Sequence, residues 1–302
     1  MPVAQQLRAS IGSGSVVGSF CAVSNTTSGG ISPDGATWTG TTLLTTGWSC
    51  VAWNGTVFCA LAAASAVAAT SPDGITWTDR FLPSSQSWSG IAWNGSVFCA
   101  ISQGSSVAAT SPDGITWTSR TMPSSATWQG IAWNGSVFCA VANTTTAATS
   151  PDGITWTART MPSSNNWKGI AGNGSVFCAL GSLSGTAAAT SPDGITWTSR
   201  TLPSTNIWSG IAWNGSVFCA VTNNSSNVAA TSPDGITWTS RTMPSSSSWI
   251  SIAYNGSVFC AIAASSNAAA TSSDGITWTA RTLPTSTVWK SIASTIILQS
   301  GT

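Results

Sequence analysis

The sequence predicts an all-β fold, a seven-bladed β-propeller of four-stranded antiparallel blades, and three observations carry that reading. The string Ser-Pro-Asp-Gly-x-Thr-Trp begins at Ser32, Ser71, Ser111, Ser150, Ser191 and Ser232, and a seventh copy at Ser272 has Ser273 in place of proline. Its aspartates (Asp34, Asp73, Asp113, Asp152, Asp193, Asp234 and Asp274) recur every 39–41 residues. A period near 40, rich in Trp, Val, Ile and Thr and punctuated by Gly and Pro, is that of one blade. Between the repeats lie apolar runs of strand length, and helical periodicity is absent.

The unit from Trp128 to Pro162 shows the elements in order. Trp128–Trp133 reads as strand A. Asn134-Gly135 is a strong hairpin signal, because a type I′ turn needs positive φ at both positions. Val137–Val141 reads as strand B. It is apolar at every position, the mark of burial on both faces. Ala142–Thr146 is a polar loop and Ala147–Thr149 is strand C. Ser150–Gly153 is a tight turn in which Pro presets φ, Asp binds backbone N–H groups and Gly tolerates positive φ. Strand D opens at Ile154, and Pro162 is expected to end it because proline cannot donate to a ladder.

The chain ends indicate how the ring closes. Ser19–Ala22 matches strand B, and Trp289–Ala293 matches strand A. The C-terminal strand is therefore expected to close the ring by pairing into the first blade, which leaves no open edge. The segment up to Gly14 is the alternative occupant of that place. As a single domain over 1–302, the blades span 11–44 with 288–297, then 45–83, 86–123, 126–162, 165–203, 206–244 and 247–284.

Composition narrows the function. Only 6% of residues are charged and the formal net charge is +1, against a usual ~25% charged in soluble domains. No field exists to draw nucleic acid. No apolar run reaches the ~18 residues of a membrane span, so membrane insertion is not expected. Met1–Gly14 lacks the features of a signal peptide. These readings suit a protein held in an assembly, on a virion or extracellular surface, cytoplasmic in the producing cell beforehand and released by lysis.

The 18 tryptophans fall into three sets. Trp38, Trp77, Trp117, Trp156, Trp197, Trp238 and Trp278 follow the Asp turn. Trp48, Trp88, Trp128, Trp167, Trp208, Trp249 and Trp289 open strand A. Trp53, Trp93, Trp133 and Trp213 precede the Asn-Gly turn, where Gly172, Tyr254 and Ser294 stand in the other copies. Gly172 either leaves a cavity or is covered by a neighbour. Each Trp buries up to ~250 Å², so wedge packing between blades is the first role of the Asp-turn set.

Seven of the eight cysteines (Cys21, Cys59, Cys99, Cys139, Cys178, Cys219 and Cys260) share one strand B position. Lying in separate blades, they read as small buried hydrophobes. Cys50 is the exception. Counted back from a two-residue Asn54-Gly55 turn it faces Cys59, and a disulfide is geometrically possible there. No Cys/His cluster offers a metal site, and no cofactor is implied. The Asn-Gly-Ser/Thr sequons are explained by their turns.

The Asp turn resembles the Asp-box, or BNR, repeat of sialidase-type propellers, with one residue fewer between Asp and Gly. The resemblance covers essentially the whole chain. It implies that the seven box aspartates support the fold away from the ligand face. Sialidase chemistry needs an arginine triad, a Tyr–Glu pair and an Asp acid/base. This chain has no Glu and no His, its only Tyr is Tyr254, and only Asp79 lies outside the boxes. Arg80, Arg120, Arg159, Arg200, Arg241 and Arg281 occupy one repeat position rather than a cluster. General acid/base work needs two positioned titratable groups, so no enzymatic activity is expected. The repeat style is also similar to bacterial propeller lectins and to phage-encoded Asp-box proteins.

Variation among the seven copies locates a binding face. The Asn-Gly and Ser-Pro-Asp-Gly turns hardly change. The B–C connections differ (62–66, 102–106, 142–146, 181–185, 222–227 and 263–267), as do the D–A connections with Gln86, Asn165, Asn166 and Asn206. Polar donors beside the strand A tryptophans suit multivalent glycan recognition, as in a lectin, adhesin or phage tail-fibre receptor-binding protein. The expected partner is a glycan or cell-surface receptor. The alternative is a structural component of a virion or other assembly, with other virion proteins docked on the ring. Lys168 and Lys290, which follow strand A tryptophans, either adjust individual sites or are solvated charges.

Overall fold

A computed structural model describes residues 18–296, and every regular element among them is a β-strand. The first sheet has four antiparallel strands in the order β21-β1-β2-β3: β1 (Phe20–Ser24), β2 (Ser28–Ser32), β3 (Thr39–Thr42) and β21 (Trp289–Ser294). The C-terminal strand thus pairs with the first, Cys21 opposite Ala293. Met1–Gly14, the alternative occupant, lies outside the described residues.

The second sheet has eleven strands: β4 (Trp48–Trp53), β5 (Phe58–Ala62), β6 (Ser65–Ser71), β7 (Thr78–Trp93), β8 (Phe98–Ser111), β9 (Thr118–Trp133), β10 (Phe138–Ser150), β11 (Thr157–Gly172), β12 (Phe177–Gly181), β13 (Gly185–Ser191) and β14 (Thr198–Asn206). The third has six: β15 (Trp208–Trp213), β16 (Phe218–Ser232), β17 (Thr239–Tyr254), β18 (Phe259–Ala263), β19 (Ser266–Ser272) and β20 (Thr279–Thr287).

Separate four-stranded sheets were the expectation, and the difference has a local cause. Strands D and A of successive repeats run on without a break. β7 pairs with β6 as far as Gln86, then with β8 from Ser87. Pro162 does not end its strand, because β11 continues through it. The ladder to β10 jumps from Thr146↔Thr160 to Thr144↔Asn165. Pro162 sits in the skipped stretch, where its missing N–H costs no ladder bond. The predicted loop 142–146 is likewise extended within β10, with Thr144 taking a left-handed φ of 66°.

The Asn-Gly hairpins also differ from expectation. They are four-residue connections: Trp53 pairs with Phe58, and Asn54 to Val57 make the turn. Only the glycine takes positive φ (Gly55, 104°). The Asn54 Oδ1 accepts the N–H groups of Thr56 and Val57 at 2.9 and 2.8 Å, an Asx turn in place of type I′. The register therefore moves by two residues. Cys50 faces Leu61, Cys59 faces Ala52, and all eight thiols are free. The Cys50–Cys59 disulfide is not formed.

Strand B residues are buried throughout, as in β1, β5, β12 and β18. The Asp turn explains how repeats join. Asp73 Oδ1 accepts N–H bonds from Ile75 and Thr76 at 2.8 and 2.9 Å and the Ser71 hydroxyl at 3.0 Å. The Ser71 hydroxyl in turn accepts the Gly74 N–H at 2.8 Å, and Trp77 Nε1 donates to the Gly74 carbonyl at 3.1 Å. The turn beginning at Ser272 keeps the corresponding bonds without proline.

These bonds hold the turn glycine at φ between 73° and 77° in all seven copies and press it against the preceding repeat. A Cβ on Gly114 would sit 2.9 Å from Thr70 Cγ2 and 3.3 Å from Cys59 Sγ. Gly153 meets Thr110 and Cys99 in the same way, as Gly194, Gly235 and Gly275 meet their threonine and cysteine, while Gly74 meets Ile31 and Cys21. Gly35 in the first repeat meets Thr271 and Cys260 in the seventh.

Gly172 is covered rather than empty. A Cβ there would lie 2.8 Å from the Trp133 carbonyl oxygen and 3.0 Å from Asn134 Cα. Asn134 is drawn in and buried, donating to the Pro192 carbonyl at 3.3 Å. Ser294 produces the same effect on Asn255, which is buried and donates to the Pro33 carbonyl at 3.3 Å.

Two predictions follow from this packing. A Cβ on Gly130 would collide with the Lys168 backbone oxygen, whereas Gly185 has nothing nearer than 3.5 Å. Gly130→Ala is expected to destabilise by about 3 kcal/mol and Gly185→Ala to be near neutral in a urea melt. The N–H donors, led by that of Thr76 for Asp73, hold the turn carboxyls below their usual range. A depressed folded-state value contributes stability above the unfolded value of ~3.9, lost as pH falls through the folded one. Urea midpoints are therefore expected to hold steady from about pH 7 to pH 5 and to drop below about pH 4.

Candidate functional site

Each strand A carries a β-bulge at the residue after its tryptophan. In β11 the ladder steps from Trp167↔Gly181 to Gly169↔Leu180 and leaves out Lys168. The same shift leaves out Ser49, Ser89, Gln129, Ser209, Ile250 and Lys290. A bulge frees its residue from the ladder and re-aims its side chain. Seven equivalent side chains are thereby released, and their identities differ from copy to copy.

Next to them lies a cavity of about 260 Å³, lined by the middle residues of β4, β15, β21 and the strand A portions of β7, β9, β11 and β17. Its wall is layered. Bulge residues such as Ser89, Lys168 and Ser209 come first. Small residues such as Gly90, Gly130 and Gly169 come next, then Val51 and a row of isoleucines. The small tier lets neighbouring backbones approach: a Cβ on Gly169 would lie 2.8 Å from the Ser209 carbonyl oxygen.

The serines bind one repeat to the next. Ser49, Ser89 and Ser209 each donate to the carbonyl of the following repeat's tryptophan, Trp88, Trp128 and Trp249, at 2.7 Å. Gln129 links three repeats, receiving Gln103 Nε2 at 3.2 Å and donating to Asn166 Oδ1 at 3.1 Å. Lys168 is half-buried and Lys290 exposed. Burial lowers the Lys168 pKa, and the Lys290 charge lowers it further.

The residues expected to bind ligand fare differently. Trp48, Trp88, Trp128, Trp167, Trp208, Trp249 and Trp289 are at most 1% exposed, so their rings offer no platform to a sugar. Their indole N–H groups are spent on nearby carbonyls, as Trp48 on Thr45 at 2.8 Å. Asn206 is buried, donating to Ser204 Oγ and accepting from Asn224 Nδ2. Asn165 and Asn166 are half-buried. Asn165 Oδ1 accepts the Asn166 and Leu183 N–H groups. The sequence signal of the bulge ring is the residue after each strand A tryptophan: Ser, Ser, Gln, Lys, Ser, Ile and Lys follow the seven.

The strand D arginines are engaged elsewhere. Arg80, Arg120, Arg159, Arg200, Arg241 and Arg281 each donate through Nε to a strand C threonine, Arg80 to Thr70 at 3.0 Å. Among the described residues no group of three or more His, Cys, Asp or Glu is gathered for a metal, and no helix is long and apolar enough to cross a membrane.

No protein-family model matches the chain, and no curated protein matches it in sequence. Solved structures do match. Virginiamycin B lyase from Staphylococcus aureus aligns with a TM-score of 0.71 at 10% identity, over 83% of this chain and 93% of that one. YCF48 bound to D1 peptide aligns with a TM-score of 0.60 at 14% identity, over 80% and 86%. The nidogen of a nidogen/laminin complex aligns with a TM-score of 0.57 at 11% identity, over 92% and 99%. These are β-propellers, and the likeness shows that fold for this chain.

The buried thiols yield a further expectation. Burial pushes the strand B thiols up, and it pushes Cys50 to about 12 despite the Ser49 hydroxyl beside it. Iodoacetamide labelling followed by mass spectrometry is expected to leave the native protein unmodified at neutral pH and to label all eight cysteines in denaturant.

Proposed function

We propose that this chain is a non-catalytic binding propeller of seven blades, with the blade spans 11–44 plus 288–297, 45–83, 86–123, 126–162, 165–203, 206–244 and 247–284. The pairing of β21 with β1 and the contact of Gly35 with the seventh repeat support a closed ring. The cavity, lined from every strand A segment, supports the same reading. The bonded Asp turns support a kinship of style with Asp-box propellers.

The observation that carries the binding role is where the copies differ. The scaffold turns repeat almost unchanged, while the bulge ring and the connections beside it carry Ser, Gln, Lys and Ile in individual places. The partner is another polypeptide in a larger assembly, such as a virion. The chain's low charge and neutral polar connections suit a docked surface. Two of the propeller neighbours are described with a bound peptide and in a complex with laminin. The glycan reading keeps the polar connections but loses its stacking surface. A non-catalytic role is supported by the seven box carboxylates each being engaged through Oδ1 within its own turn and by the thiols being buried.

Screening the protein against a peptide library and a glycan array tests this reading. Peptide binding is expected, lost at least tenfold in Gln129→Ala/Asn166→Ala with circular dichroism unchanged. Binding to glycans alone, or hydrolytic turnover of any array member, would overturn it.

A further inference from the structure

The molecule's only two lysines, Lys168 and Lys290, stand at equivalent bulge positions on the same ring. In other copies the side chain at this position is bonded: the hydroxyls of Ser49, Ser89 and Ser209 and the Gln129 amide each reach a neighbouring repeat. The lysine ammonium groups find nothing equivalent. Among the described residues, Lys168 Nζ has no hydrogen-bond partner and no ion pair, and the influences on it are burial and the charge of Lys290.

All eight aspartates lie in the described residues, and none acts on Lys168. Seven are bound within their turns, and Asp79 sits on β7 opposite Ala69. A half-buried ammonium facing a like charge, with no counter-ion, is unfavourable on both counts. The adjoining cavity of about 260 Å³ has room for a small polar group, and Ser209 and Gly169 line it beside Lys168.

We propose that the mouth of the cavity at Lys168, with Lys290 three repeats further round the same ring, is an anion site that receives a carboxylate. The carboxylate belongs to an acidic side chain of the docked polypeptide, so the identification of its carrier rests on the docking reading above. A carboxylate there supplies the missing counter-charge to Lys168, accepts its donors in a partly desolvated setting, where such bonds are stronger than in open water, and offsets the like charge of Lys290.

Isothermal titration at low ionic strength with two probes tests this: succinate, and a short Glu-rich peptide amide. Their neutral counterparts, dimethyl succinate and the Gln-rich peptide, are the controls. Saturable binding of the acidic peptide is expected, weakened at least tenfold in Lys168→Gln, less in Lys290→Gln, and reduced by 0.5 M salt as charge pairing requires. Glutamine is tolerated at this position in another copy, as Gln129, and an unchanged melting temperature will confirm that the variants fold. Succinate binding without peptide binding, still lost in Lys168→Gln, upholds the anion site and counts against polypeptide docking. Peptide binding that survives Lys168→Gln but is lost in Gln129→Ala/Asn166→Ala upholds docking and overturns the anion site. Binding of neither acidic probe overturns it as well.

Discussion

The contact between an Asp-turn glycine and the preceding repeat is the constraint on which the rest of this structure depends. The glycine must sit at a φ near 75° and present no Cβ, because a cysteine and a threonine of the previous repeat, or Ile31 in the case of Gly74, occupy that space. Serine and aspartate are needed to hold the chain there, and the tryptophan indole locks the turn from its other side. The serine, aspartate, glycine and tryptophan of the repeat are thus accounted for by one interface. The cysteine is small because a glycine turn abuts it. It is buried because the same contact excludes water.

A second close approach, between neighbouring strand A backbones, sets the character of the cavity wall. Glycine recurs at Gly90, Gly130, Gly169 and Gly210 because carbonyls or side chains of the next repeat lie within van der Waals distance. The bulge one residue earlier frees a side chain from the ladder just where the backbones crowd. Where that side chain is serine it ties two repeats together, adding the net ~1 kcal/mol typical of a hydrogen bond. Where it is Lys168, Lys290 or Ile250, no such bond from that side chain is found. The ring therefore exchanges inter-repeat bonding for chemical variety at selected places, as functional sites commonly do.

Much of this was legible in the sequence, because the repeat exposes its own rules. The Asp spacing gave the period, the all-apolar strand B gave double burial, and the C-terminal match to strand A gave the pairing of β21 with β1. What escaped was set by details of backbone geometry. Asn54 closes a four-residue Asx turn where a two-residue turn was expected, and that difference alone moves Cys50 from Cys59 to Leu61. Pro162 lies in a skipped segment of ladder that no propensity reveals. The strand A tryptophans admit both a wedge and a platform reading, and burial decides for the wedge. The bulge was invisible because a bulge is a mismatch between two strands, not a property of either.

Charge placement completes the picture. In a chain with 6% charged residues, each ionised side chain needs a reason. The seven box aspartates have one, since their carboxylates accept the turn N–H groups. The six strand D arginines have one, since each reaches a threonine of its own repeat. Asp79 lies at the outer strand of its repeat. Among the described residues Lys168 and Lys290 are left, and they, with Asp79, are the charges that break the repeat pattern rather than follow it. A charge that serves the fold recurs with the repeat, because every blade faces the same packing demand. One that appears in only two copies answers to something the blades do not share, and the place where it appears is the ring of residues that the bulge turns away from the ladder.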